Sequence, residues 1–112
     1  DHVFPQCLRI RGVLHLHLGE FELAERALSR ARACFEVVED DFGRAYSLVS
    51  LANASVQQGE FERACARLER ARSLFEQLET IPGLMFCATG EADLFQAQGH
   101  LERALEHLER AR

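Results

Sequence analysis

Five histidines, four cysteines, a run of acidic residues and three serines within one helix-length stretch could each do chemistry. The histidines are His2, His15, His17, His100 and His107. His15 and His17 are two apart, so a helix sends them to different faces and they cannot chelate together. His100 and His107 are separated by two turns, too far to share a zinc ion without other ligands. The cysteines Cys7, Cys34, Cys65 and Cys87 form no C-x-x-C pair. They read as buried, reduced thiols of a cytoplasmic protein. Glu39-Asp40-Asp41-Phe42-Gly43 invites a calcium reading, but it lacks the ligand count and spacing of a calcium loop. Two of its acids suit the N-terminus of a following helix, where the backbone dipole favours negative charge. Ser47, Ser50 and Ser55 sit on no strand-to-helix elbow. Glycines fall singly, so no loop cradles phosphate. The expectation is a chain with no catalytic residues, no metal and no cofactor.

Composition narrows the remaining classes. Apolar residues make up 47% of the 112, enough for a folded core. Net charge is −5, and a nucleic-acid module would show a basic face, so direct DNA or RNA binding is not expected. All 13 basic residues are arginine, which leaves no lysine for Schiff-base chemistry. No apolar run is long enough to cross a bilayer. The start, Asp1-His2-Val3-Phe4-Pro5, has neither an initiator Met nor the basic segment of a signal peptide, and reads as a trimmed end.

The elements that position these residues are copies of one unit. Gly19-Glu20-Phe21-Glu22-Leu23-Ala24 recurs as Gly59-Glu60-Phe61-Glu62-Arg63-Ala64 and again as Gly99-His100-Leu101-Glu102-Arg103-Ala104. The register of 40 residues holds without insertion or deletion, and a fixed period in this range signals a solenoid. The repeats are 1–40, 41–80 and 81–112. Each has a helix A, closed by its glycine, and a helix B. The A helices span Val3 to Leu18, Arg44 to Gln58 and Leu84 to Gln98. The B helices span Phe21 to Val38, Phe61 to Leu78 and Leu101 to Arg112. Residues 39–43 and 79–83 are the loops between repeats. The B stripes Phe21, Ala24, Leu28, Ala31, Phe35, Val38 and Phe61, Ala64, Leu68, Ala71, Phe75, Leu78 step by three or four, as one buried helix face should. Small residues at Gly12/Ala52/Ala92 and Ala24/Ala64/Ala104 mark where A and B cross closely. The shortened last B helix implies that the natural protein continues, and its stripe Leu101, Ala104, Leu108 would be left partly bare.

These columns resemble the tetratricopeptide repeat, over the whole chain. The usual unit is about 34 residues, and the about six extra ones here lengthen helix B and its loop. The resemblance implies an all-α solenoid of antiparallel helix pairs stacked in a right-handed superhelix, whose A helices line a concave groove. Mapped column by column, the groove takes Gln6, Arg9, Val13 and His17 from the first repeat. It takes Tyr46, Val49, Ser50, Asn53 and Gln57 from the second, and Phe86, Thr89, Asp93 and Gln96 from the third. These columns vary between repeats while the packing columns do not. The groove set would suit a protein or peptide segment, or a small ligand. Without a lysine, and with only Arg9 and Asn53 near the pattern, it does not match the carboxylate-clamp adaptors of the family. Units of this length resemble those of large bacterial regulators such as the maltose-regulon activator. The implied role is a non-catalytic binding or ligand-sensing module of a larger cytoplasmic bacterial protein, with homo-oligomerisation through the terminal helix as the alternative.

Overall fold

A computed structural model describes residues 4–110. Five helices follow one another: α1 (Pro5–His17), α2 (Phe21–Val37), α3 (Asp41–Gln57), α4 (Phe61–Gln77) and α5 (Ile81–Arg110). Among the described residues there is no strand. Each helix packs on the next, and α1 with α3 and α3 with α5 are also neighbours. The result is an elongated stack, 58 × 30 × 18 Å, in which α1, α3 and α5 form one layer and α2 and α4 the other.

The within-repeat corners follow from glycine. Gly19 and Gly59 take φ +76° and +77°, a left-handed conformation that side chains disfavour. No atom crowds either site, so it is the backbone angle, not space, that requires glycine there. The between-repeat corners use Glu39 (φ 58°) and Glu79 (φ 53°) instead, which the residue pattern does not announce. These loops are shorter than expected, because α3 and α5 begin at Asp41 and Ile81. Asp40 caps α3, its carboxylate accepting from the Gly43 amide at 3.0 Å, and Thr80 Oγ1 accepts from the Gly83 amide at 3.3 Å. Gly43 and Gly83 therefore lie inside first turns. A methyl group at either position would overlap the ring of Phe35 or Phe75, so these glycines provide room for an aromatic of the preceding helix.

The core is built on the expected columns in the first two repeats. Ala24, Leu28, Ala31 and Phe35, and Ala64, Leu68, Ala71 and Phe75, are all buried. Gly12 abuts Leu28, and Ala52 is fully buried. Val38, expected at the end of the first stripe, is 62% exposed because it lies past the end of α2. Two ion pairs tie neighbouring repeats together. Arg67 on α4 donates to both carboxylate oxygens of Glu25 on α2 (2.8 and 3.1 Å), and also to the Leu51 carbonyl and Ser55 Oγ of α3. Arg72 on α4 pairs with Glu91 on α5, whose hydrogen bond and charge push the guanidinium pKa up. The exposed Glu22–Arg26 pair, at 3.4 Å, contributes little.

The third repeat departs from the expected pattern. Helices A3 and B3 are one helix, α5, and Gly99 lies within it instead of at a corner. Residues 101–110 are exposed, Leu101, Leu105 and Leu108 among them, and so are Ala92 and Ala104. The periodicity supplies the reason. Gly83, Cys87, Gly90 and Leu94 form the packed face of α5, and Ala97, Leu101, Ala104 and Leu108 continue it at steps of three or four. A straight helix keeps its backbone hydrogen bonds through Gly99 and stays in register with the packed face. Among the described residues no helix covers segment 101–110 to stabilise a turn. Ala111, the last member of the alanine column, lies outside the described residues, as do Asp1, His2 and Val3.

The two backbone states predict opposite signs for one substitution. Gly59→Ala should destabilise by about 1–2 kcal/mol, because alanine resists positive φ. Gly99→Ala should stabilise by about 0.5–1 kcal/mol, because a mid-helix glycine is worse than alanine. Urea denaturation followed by circular dichroism measures both. A destabilising Gly99→Ala would show that position 99 is a corner after all.

The cysteines are not uniformly buried. Cys87 is buried and donates to the Leu68 carbonyl at 3.5 Å, Cys34 is half-buried, and Cys7 and Cys65 are exposed. Cys7, Ser47 and Cys87 share a repeat column, but among the described residues no helix precedes α1 to cover Cys7. Burial pushes the Cys87 thiol pKa up, with Glu91 adding to the shift. Cys87 should therefore resist iodoacetamide until the protein unfolds, while Cys7 reacts in the native state. Mass spectrometry of natively alkylated protein tests this. Modification of Cys87 at the Cys7 rate would contradict the packing of α5 on α4.

Candidate functional site

Layering places one face of α1, α3 and α5 along a common groove. A cavity of about 590 Å³ opens there, lined by Arg9, Val13, Leu16 and His17 from α1, Ser50, Asn53, Val56 and Gln57 from α3, and Phe86 and Asp93 from α5. A second one, about 340 Å³, is lined by Gln6, Arg9, Asp40, Phe42, Gly43, Tyr46 and Phe86. Arg9 and Phe86 line both, so the two are compartments of a single surface.

The compartments differ in chemistry. The smaller carries an aromatic ledge. Tyr46 stacks edge-on to the buried Phe75, with ring centroids 5.1 Å apart, and lies 5.1 Å from Phe86. Phe42 and Phe86 remain 44% and 36% exposed, so the ledge offers apolar surface on a rigid base. The larger compartment is lined by Val13, Leu16 and Val56 together with the hydroxyl and amide groups of Ser50, Asn53 and Gln57, with charge on the walls. His17 lines it, whereas His15 turns away and pairs with Glu20 at 2.9 Å, consistent with their separation by two residues.

Of the residues the column mapping selects, Gln6, Arg9, Val13, His17, Tyr46, Ser50, Asn53, Gln57, Phe86 and Asp93 line these compartments. Val49 does not. It is fully buried in the core with Leu48, Leu68 and Leu94, because α3 is covered by α4 and α5 on that side. Thr89 and Gln96 are exposed on α5 but line neither compartment. The mapping misses Leu16, Val56, Asp40, Phe42 and Gly43. Asp40 and Phe42 lie in the stretch read as a loop; the acids there suit a helix N-terminus, but the residue pattern places the helix start at Arg44, whereas Asp40 caps α3 and Phe42 stands in its first turn. Among the described residues, no group of three or more His, Cys, Asp or Glu side chains is arranged to hold a metal ion. No described helix is long and apolar enough to cross a membrane.

The comparisons agree with this architecture. A family profile described as tetratricopeptide repeat matches residues 43–112, and a second of the same description matches residues 5–30. The chain belongs to the tetratricopeptide repeat family. Repeats of this family generally mediate protein–protein interactions and are typically non-catalytic. No curated protein and no solved structure matches the chain.

Proposed function

We propose that this chain is a non-catalytic peptide-binding module whose ligand lies across α1, α3 and α5. The observation that carries the reading is the meeting, at Arg9 and Phe86, of an aromatic ledge and a larger compartment that sets amide and hydroxyl groups among apolar side chains. An extended segment can bury an apolar side chain on the ledge while its backbone meets the amides of Asn53 and Gln57. The test is selection of a phage-displayed library of random twelve-residue peptides on the purified protein. Peptides should be enriched, and their synthetic forms should bind about tenfold more weakly to Asn53→Ala, with thermal unfolding unchanged. No enrichment, or binding indifferent to Asn53→Ala, would reject the groove.

The resemblance of the 40-residue unit to those of large bacterial regulators is what favours placing the module in such a protein, as a partner-binding or ligand-sensing segment. Flanking sequence encoding a helix-turn-helix or a P-loop would support that placement, and a protease or cyclase domain would redirect it. The exposed segment 101–110 favours a second reading, self-assembly, since Leu101, Leu105 and Leu108 extend the packed face of α5 beyond the stack. Light scattering discriminates, because a monomer at high concentration removes the assembly reading.

A further inference from the structure

Among the described residues, the walls of the larger compartment carry opposite charges that form no ion pair. Arg9, on α1, is the only arginine lining either compartment. Its side chain reaches Gln6 Oε1 at 3.2 Å, a neutral partner, and among the described residues no carboxylate lies within ion-pairing distance. Asp93, on α5, lines the same larger compartment and makes neither an ion pair nor a side-chain hydrogen bond among the described residues. The backbones of α1 and α5 are not neighbours, and the uncharged lining from α3 lies between the two walls. Asp40 lines the smaller compartment with Arg9; it caps α3 through one carboxylate oxygen, keeps its negative charge and makes no ion pair with Arg9. Arg67 with Glu25, and Arg72 with Glu91, pair between helices instead.

We infer that the groove reads the direction of its peptide through this dipole. It takes a segment with an apolar side chain, an acidic residue beside it, and a basic residue further along. The apolar group occupies the Phe42–Tyr46–Phe86 ledge. Arg9 borders both compartments, so the acidic group lies next to that anchor. The basic group meets Asp93 across the floor. A peptide with the two charges exchanged places like charges together on both walls, the arrangement that most strongly rejects a wrong partner.

The inference rests on the groove reading, and one experiment separates the two. The random peptide library is selected in parallel on the wild type, on Asn53→Ala, and on the double variant Arg9→Asp/Asp93→Arg. Neither charged side chain holds the fold together, so the double variant should unfold at an unchanged temperature. The wild type should enrich apolar–acidic–basic order and the double variant apolar–basic–acidic order. A synthetic wild-type-selected peptide should bind the double variant about tenfold more weakly, and its charge-exchanged form should recover the loss. Peptides that need Asn53 but show the same charge order in both selections would overturn the inference and leave the groove standing. No enrichment, or indifference to Asn53→Ala, would overturn both.

Discussion

Phe75→Ala should lower stability by about 3–5 kcal/mol, the usual cost of deleting a buried aromatic ring. Phe75 is fully buried, stacks edge-on against Tyr46, and fills the space that Gly83 leaves open. It is the point where α3, α4 and α5 meet. Deleting it removes the ring's apolar burial and opens a cavity that rigid neighbouring helices cannot close. Domains of this size have about 5–15 kcal/mol in total, so the variant should lose a large share of its stability. The measurement is urea denaturation, read as a fall in midpoint at unchanged slope. The effect should also reach function, because Tyr46 rests on Phe75 and Phe86 rests on Tyr46. Peptide binding should therefore weaken even where the variant remains folded. A loss below about 1 kcal/mol would mean that α5 does not pack on α4 as described.

Ala64→Arg should be at least as damaging, about 3 kcal/mol or more, by the opposite mechanism. Ala64 has no exposed surface and belongs, with Ala52 of α3, to the core cluster that joins α3 and α4. A long side chain there either forces the helices apart or buries a guanidinium without a partner. The same change at Ala104, its counterpart two helices' length along the chain, should cost less than about 0.5 kcal/mol, because that position faces solvent on α5. The contrast between identical substitutions in one repeat column is sharper than either value alone. Equal losses at both positions would show that segment 101–110 folds back onto its own helix A.

That contrast also shows where the residue pattern was informative and where it was not. Gly19 and Gly59 were legible as corners, and the alanine, leucine and phenylalanine columns of α2 and α4 were legible as core. In those places local conformation and packing demand the same residue. Gly99 has the same flanking residues but not the same surroundings. A corner forms when the returning helix gains more by packing than the straight helix gains by continuing, and the motif does not encode that balance. The Glu39 and Glu79 corners were hidden for a related reason, since an unfavourable φ at a non-glycine residue is imposed by the helices on either side. Column equivalence likewise fails at the ends of the stack. Cys7 and Ala92 are exposed where Ser47 and Ala52 are buried, because burial depends on a neighbouring repeat. Most of the groove was legible through the family resemblance, since varied A-helix columns mark surface. Val49 was misassigned because α3 is covered on two sides, and the ledge formed by Phe42 was missed because the start of α3 was placed too late.

The most direct test is amide chemical-shift mapping of the labelled protein titrated with a library-selected peptide. A ligand lying across the A helices predicts saturable shifts at Arg9, Asn53, Gln57 and Asp93, on α1, α3 and α5. The exposed face of α2, around Arg26, should stay silent. Shifts confined to α2 and α4, with the groove residues unmoved, would contradict the assignment of the binding surface.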